Sequence, residues 1–279
     1  LKTAVCETQT SENPCYANLG APTRVWAISA IHGELDKITR LHDALLTRFM
    51  PGDRIVYLGN YTGYNDQAAA TIDEILAFRR MILSVPGVLP EDFVYLRGRQ
   101  EEMLDKLLQI QFAPDPRDVL DWMLDNGLQP TLASYGISVE EGRACTREGI
   151  MATTRWTSRV RQRIKAHAGH DTFLTHLRRA AFTDVVPENA PLLFVNAGID
   201  ARRPLHQQGD SLWWNTQSFN RLEHAYAPFR RIIRGYDPDR QGVHINGVSA
   251  TLDGGCGFGG ELVCAGWSCR GEAFDVIRV

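Results

Sequence analysis

Residues 58–65 read LGNYTGYN and follow directly on the apolar run RIVYL at 54–58. A β-rich run of this kind predicts a short buried strand. Gly59 and Gly63 predict a tight loop at its end, because glycine alone adopts positive φ freely. The loop offers hydroxyls and carboxamides, Asn60 and Asn65 among them, and no acid. Its surroundings repeat the pattern. RVWAIS at 24–29 and DFVYLRG at 92–98 read as further strands, and the apolar stripe Leu35, Ile38, Leu41, Leu45, Leu46 and Phe49 predicts a helix between the first two. A second helix is expected from Ala68 to Leu83, stopped by Pro86 and Gly87. Strands alternating with helices imply parallel pairing, and so an α/β sheet.

The chain has 279 residues, 44% of them hydrophobic, enough for one large domain or a domain with an insertion. The formal net charge of −3 gives no bias toward nucleic acid or membrane, and no apolar run approaches the roughly 20 residues that span a bilayer. No signal-peptide pattern is read at Leu1, and a start other than methionine is expected of a processed or truncated end. A cytoplasmic protein is expected. Cys6, Cys15, Cys145, Cys256, Cys264 and Cys269 contain no CxxC pair and no zinc spacing, so they read as idle thiols of a reducing compartment. Pairing of Cys6 with Cys15 under oxidation is the alternative.

Residues 1–22 are polar and read as a flexible lead-in, leaving 23–279 as a single domain. From about 101 to 185 the chain reads as helix after helix, a cap inserted into that domain. Strands return at PLLFVNAG, FRRIIRG, VHIN, SATLD, ELVCAGW and AFDVIRV, the last four expected as antiparallel neighbours. Five strands run into glycine-bearing loops: SAIHG, GNYTG, RGRQE, NAGID and RGYDP. In α/β sheets ligands bind beyond the carboxyl ends of strands, so these loops mark a candidate cleft.

The order and spacing of the loops resemble those of the calcineurin-like metallophosphoesterases, closest to the bacterial serine/threonine protein phosphatase branch, with diadenosine-polyphosphate hydrolases nearby. The resemblance covers roughly Arg24 to Cys264. The family pattern runs GDxHG, GDxxDRG, GNHE, a histidine before AG, and GH followed by T or D and P. Flanking stretches such as EEML, TLASYG, AGIDARRPLHQQGDSLWW and LDGGCGFGGEL agree with it. The resemblance implies a four-layer α/β/β/α sandwich with a helical cap, and a pair of metal ions that position phosphate and activate a hydroxide.

The ligands that this chemistry needs are withdrawn one by one. Ala30 stands at the first aspartate, and His32 survives in the same motif. Asn60 stands at the bridging aspartate, Gly63 and Tyr64 at the later aspartate and arginine. Arg99 and Gln100 replace the asparagine–histidine pair, Asn196 and Tyr236 the last two histidines. An amide does not titrate near neutrality, and Arg99 brings a permanent cation. No metal and no cofactor are expected in this cleft. The scaffold around each lost ligand persists, which points to a catalytically inactive phosphatase-like protein, a scaffold or regulatory subunit binding another protein. One alternative is a metal-free sensor of a phosphate- or carboxylate-bearing ligand held by Arg99, His32, Asn60 and Asn196. Another is a phosphoesterase with rebuilt chemistry. Arg99 is expected to fill the vacated metal space, either paired with Asp237 or Glu101 or free to grip an anion.

A basic run, Arg155, Arg159, Arg161, Arg163 and Lys165, with Arg178 and Arg179 beyond it, reads as a solvated face or as a docking surface for an acidic protein. Nucleic acid is not expected there, because few aromatics interleave. His167, His170 and His176 lack an i, i+4 pair on one face, so no metal site is expected among them. Of Trp213 and Trp214, one is expected in the core and the other is a candidate contact residue.

Overall fold

The computed structural model describes residues 15–279. In chain order it forms β1 (Tyr16–Asn18), β2 (Arg24–Ile28), α1 (Leu35–Leu46), β3 (Arg54–Tyr57), α2 (Ala68–Ile82) and β4 (Phe93–Tyr95). The helical insertion follows: α3 (Arg99–Leu107), α4 (Pro116–Met123), α5 (Gln129–Ser134), α6 (Val139–Glu148), α7 (Ile150–Lys165) and α8 (His170–Thr175). The second half comprises β5 (Ala180–Phe182), β6 (Leu192–Val195), α9 (Ser211–Trp214), α10 (Thr216–Asn220), β7 (Arg231–Arg234), β8 (His244–Ile245), β9 (Ser249–Thr251), β10 (Val263–Ser268) and β11 (Ala273–Arg278).

Two sheets result, one ordered β11-β10-β2-β3-β4, the other β1-β5-β6-β7-β9-β8. Strands β2, β3 and β4 pair in parallel, as their intervening helices require. Period-two alternation explains the layering. Trp26, Ile28, Ile55 and Tyr57 pack under α1 and α2 with Ile38, Leu41, Ile72 and Ile75. Their neighbours Val25, Ala27, Val56 and Leu58 face the other sheet, against Leu192, Phe194, Ile233 and Ala250. On the far side Leu193, Val195 and Ile232 pack against Leu212, Trp213 and Phe219 of α9 and α10. With both faces covered, the central strands β2, β3 and β6 are mainly apolar, which is why they read as hydrophobic runs, whereas β7 carries Arg231 and the fully buried Arg234. The layers are helix, sheet, sheet, helix. The insertion has its own core, in which Leu104 and Leu107 of α3 meet Trp156, Val160 and Ile164 of α7.

Three expectations need correction. Part of the lead-in is a strand: β1 pairs in parallel with β5 at the edge of its sheet. The strand β5 itself lies within the stretch read as wholly helical. Both strands have three residues, too few to display alternation. The last four strands are not one antiparallel set. Strands β8 and β9 pair in one sheet and β10 and β11 in the other, because residues 252–262 form a glycine-rich loop that carries the chain across the sandwich. The pairing of Cys6 with Cys15 lies outside the described residues, since Cys6 precedes them; Cys15 is exposed.

Candidate functional site

The five glycine-bearing loops meet, and backbone hydrogen bonds tie them together. Ile31 and His32 donate to the Asn60 carbonyl at 2.9 and 2.8 Å, Ala30 donates to Gly235 at 3.0 Å, and Gly235 and Tyr236 both donate to Asn196 at 3.0 Å. All nine residues singled out from the sequence therefore lie around one cleft. Its floor is closed: Ala30, His32, Asn60 and Asn196 are fully buried, and Tyr236 and Gln100 nearly so.

Each of these residues has a local structural role. Ala30 packs with Ala197 and Tyr236 in a small apolar cluster. Asn60, in the left-handed region at φ 57°, accepts the Gln100 backbone N–H on Oδ1 at 3.1 Å. Asn196 accepts the Arg99 N–H at 3.2 Å and donates to the Leu58 carbonyl at 2.7 Å. The two carboxamides thus satisfy the first N–H groups of α3, which no intrahelical carbonyl can reach. Gln100 lies over Gly63, where a Cβ would meet its Cδ at 2.4 Å. Its Nε2 donates to the Asn126 carbonyl at 2.9 Å, binding the cap to the cleft. Tyr64 donates its backbone N–H to Gly127, again in the cap.

His32 sits at the centre. The rings of Tyr64, Tyr236 and Phe258 meet it edge-on at 5.1, 5.4 and 5.6 Å. Burial pulls its pKa down to about 4, against the hydrogen bond to Thr62 and helped by the Arg99 cation. The ring is therefore neutral at pH 7. Nδ1–H donates to the Thr62 carbonyl at 3.3 Å, leaving the Nε2 lone pair facing inward with no protein partner. Asn60 Nδ2, Gln100 Oε1 and Arg99 Nε are also buried without partners. Burial raises the Tyr236 hydroxyl well above its ordinary pKa, so it stays protonated.

Arg99 is placed differently from either expectation. Its guanidinium donates to Asn126 Oδ1 at 2.9 Å and lies 4.5 Å over the Trp214 ring. Trp214 in turn packs against Trp122 of α4, ring centroids 5.9 Å apart. The expected carboxylate partners are already engaged. Glu101 accepts the backbone N–H groups of Asn60, Tyr61, Thr62 and Gly98, and Asp237 pairs with Arg234 at 3.0 Å in full burial. Of the tryptophan pair, Trp213 is the core residue and donates to the Arg97 carbonyl at 2.7 Å.

These residues do not fit a pair of divalent metals. Such ions need several anionic oxygens together with imidazoles. The neighbouring carboxylates of Glu101, Asp237 and Asp253 are all committed to backbone N–H groups or to Arg234. What converges instead is the positive end of α3, the Arg99 cation and neutral amides, a field that disfavours a cation. Sequence reading missed Phe258 and Asn126. Phe258 was visible only as part of GGCGFGG, and nothing in the sequence of the cap marks Asn126.

The basic residues of α7 project outward because Trp156, Val160 and Ile164, four residues apart, turn the opposite face inward. Several are matched locally: Arg159 pairs with Glu141, Lys165 with Asp171 at 3.7 Å, and Arg161 donates to the Leu108 carbonyl at 3.3 Å. Arg155 and Arg163 are exposed. Arg178 and Arg179 immediately precede β5, and Arg179 stacks on Trp213 and pairs with Asp210 at 3.6 Å. No helix among the described residues is long and apolar enough to cross a membrane.

No family model matches the sequence, and no curated protein does so. The fold, in contrast, is shared with solved structures. One, a candidate diadenosine tetraphosphatase, superposes with a TM-score of 0.55 at 16% identity, covering 95% of this chain and 96% of that one. A protein serine/threonine phosphatase from Saccharomyces cerevisiae gives 0.53 at 12% identity, over 96% of this chain and 83% of its own. A cold-active protein tyrosine phosphatase gives 0.50 at 12%, over 94% and 80%. At such identities the likeness establishes the architecture alone, a two-sheet sandwich with helices on its outer faces.

Proposed function

We propose that this chain, built on the calcineurin-like metallophosphoesterase fold, is a catalytically inactive phosphatase-like protein that acts as a scaffold or regulatory subunit for another protein. The observation that carries this reading is the refilled cleft. Ala30, Ala197 and Tyr236 form an apolar cluster, and Asn60 and Asn196 cap α3 with neutral amides. Metal-assisted hydrolysis needs a charged, open floor to hold ions and an activated hydroxide. This floor is buried, and the carboxylates beside it are already engaged. The partner surface that fits is the outward face of α7, where Arg155 and Arg163 are exposed beside exposed Ile150 and Met151; an acidic protein surface with some apolar area suits it.

Two measurements test the reading. With Mn2+ present, p-nitrophenyl phosphate should not turn over. Metal-dependent turnover that survives repurification and is abolished by His32→Asn overturns the inactive reading. A partner co-purified from the native source should be lost on Arg155→Glu with Arg163→Glu, and retention by that variant removes α7 as the docking face.

A second reading has its own support. His32 Nε2, Asn60 Nδ2, Gln100 Oε1 and Arg99 Nε are buried without partners in one cleft, and buried polar atoms are ordinarily satisfied. A small anion held without metal would satisfy the two donors among them. Phosphate or a nucleotide should then raise the melting temperature of the parent and not of Arg99→Ala.

A further inference from the structure

Outside the cleft, among the described residues, one set of side chains has the chemistry of a metal centre. Asp73 on α2, His167 in the turn before α8 and His170 at the start of α8 place one ligand atom each within 4.8 Å of one another. We propose that these three residues bind a single divalent transition metal of the zinc class, with a fourth position left to water.

The turn builds the pair of imidazoles. Gly169 takes the left-handed conformation at φ 86°, and the His170 N–H donates to the His167 carbonyl at 3.3 Å. The chain folds back on itself there, so two histidines three residues apart stand side by side, ring centroids 5.0 Å apart and 31° from coplanar. An i, i+4 helical pair is not the only way to bring two imidazoles together, and here a glycine turn does it. The third ligand comes from a helix 97 residues earlier in the chain, Asp73 Oδ1 lying 3.1 Å from His170 Nε2. Sequence spacing could not reveal that juxtaposition.

The surroundings suit ligation. His170 is fully buried, and its other ring nitrogen, Nδ1, lies 2.8 Å from the Tyr135 hydroxyl. A metal-binding imidazole commonly has its second nitrogen oriented by a hydrogen-bond partner that fixes tautomer and ring direction. A hydroxyl both donates and accepts. It therefore serves the metal-free tautomer, in which Nε2–H donates to Asp73, and equally the bound one, in which Nδ1–H donates to Tyr135 and Nε2 is free to ligate. Asp73 is 58% exposed, so an ion reaches the site from solvent without opening the fold. Two imidazoles and one carboxylate with an open position form a donor set that zinc accepts.

The test uses the whole chain and Zn2+ alone. Titration calorimetry should give one ion bound with dependence on this cluster, and Zn2+ should raise the melting temperature. Asp73→Asn and His167→Ala, both at solvent-accessible positions, should each weaken binding at least about 10-fold, and Tyr135→Phe about 10- to 100-fold, as loss of an orienting partner does. Co2+ in place of Zn2+ should give the visible absorption of a four-coordinate ion, lost in His167→Ala. Absence of Zn2+ binding, or binding that Asp73→Asn and His167→Ala leave unchanged, overturns the proposal; the latter outcome assigns the ion to other ligands such as the cysteines. Either result is independent of whether the cleft hydrolyses phosphate.

Discussion

The Asn60 side chain accepts the Gln100 backbone N–H at 3.1 Å, so this carboxamide is a cap for helix α3. Its own backbone N–H donates to Glu101 Oε2 at 2.8 Å. A carboxylate at position 60 would gain from the helix end but would be buried beside Glu101. Asn60→Asp is therefore expected to destabilise the fold by about 1–3 kcal/mol at pH 7, from like-charge repulsion with Glu101 and the burial of a second carboxylate. It should yield no metal-dependent phosphatase activity. Urea unfolding and a p-nitrophenyl phosphate assay of the same preparation check both halves.

The buried neutral His32 makes stability depend on pH. Its pKa is about 4 in the fold and about 6.5 when unfolded, so between those values the unfolded chain binds more protons. Stability should rise with pH across that window, be complete above about 6.5, and be lost as pH falls toward 4. The full effect is on the order of 3 kcal/mol. His32→Asn, which also tolerates the left-handed backbone at this position, should flatten the slope between pH 4 and 6.5. Unfolding curves of parent and variant at several pH values in that range measure it.

Gly63 and Gln100 occupy one space. A Cβ at Gly63 would lie 2.4 Å from the Gln100 Cδ, at a φ of 95° that side chains rarely adopt. Gly63→Ala should cost about 2 kcal/mol or more, from strain and overpacking. Part of that loss should be recovered in Gly63→Ala with Gln100→Ala, and the strain part should not. A double-mutant cycle by chemical denaturation separates the two.

Arg99 holds the cap to the sandwich through Asn126 and Trp214. Arg99→Ala should lower stability by about 1–2 kcal/mol, the sum of one hydrogen bond and one cation–π contact. Arg99→Lys should recover little of it, since an ammonium cannot both lie flat on the indole and reach the carboxamide. Thermal unfolding of the three proteins ranks them.

Much of the sandwich was legible because β2, β3 and β6 are buried on both faces and so write themselves as mainly apolar runs. The cleft was legible for a different reason: close approach between loops leaves glycines, as at Gly98, where a Cβ would fall 2.2 Å from the Asn60 nitrogen. The neutral side chains of Asn60, Asn196 and Tyr236 could be read directly from the letters. Their partners could not. Asn126 meets Arg99 only because a turn in the cap folds over α3, and Phe258 reaches His32 only because a loop 226 positions further along crosses the sandwich. Such contacts depend on the relative placement of distant segments, which local pattern does not encode. The three-residue strands β1 and β5 escaped for want of length.

Trp122 belongs to the inserted helices and Trp214 to the outer layer of the sandwich, and their rings are 5.9 Å apart with 46% and 38% of each residue exposed. The protein thus carries its own optical gauge. Indoles this close exchange excitation energy, and the guanidinium over one of them sets the local charge its emission senses. Any event that lifts the insertion from the body, whether a partner wedging beneath it or a ligand entering the cleft, separates the pair and changes the emission, without a label being attached.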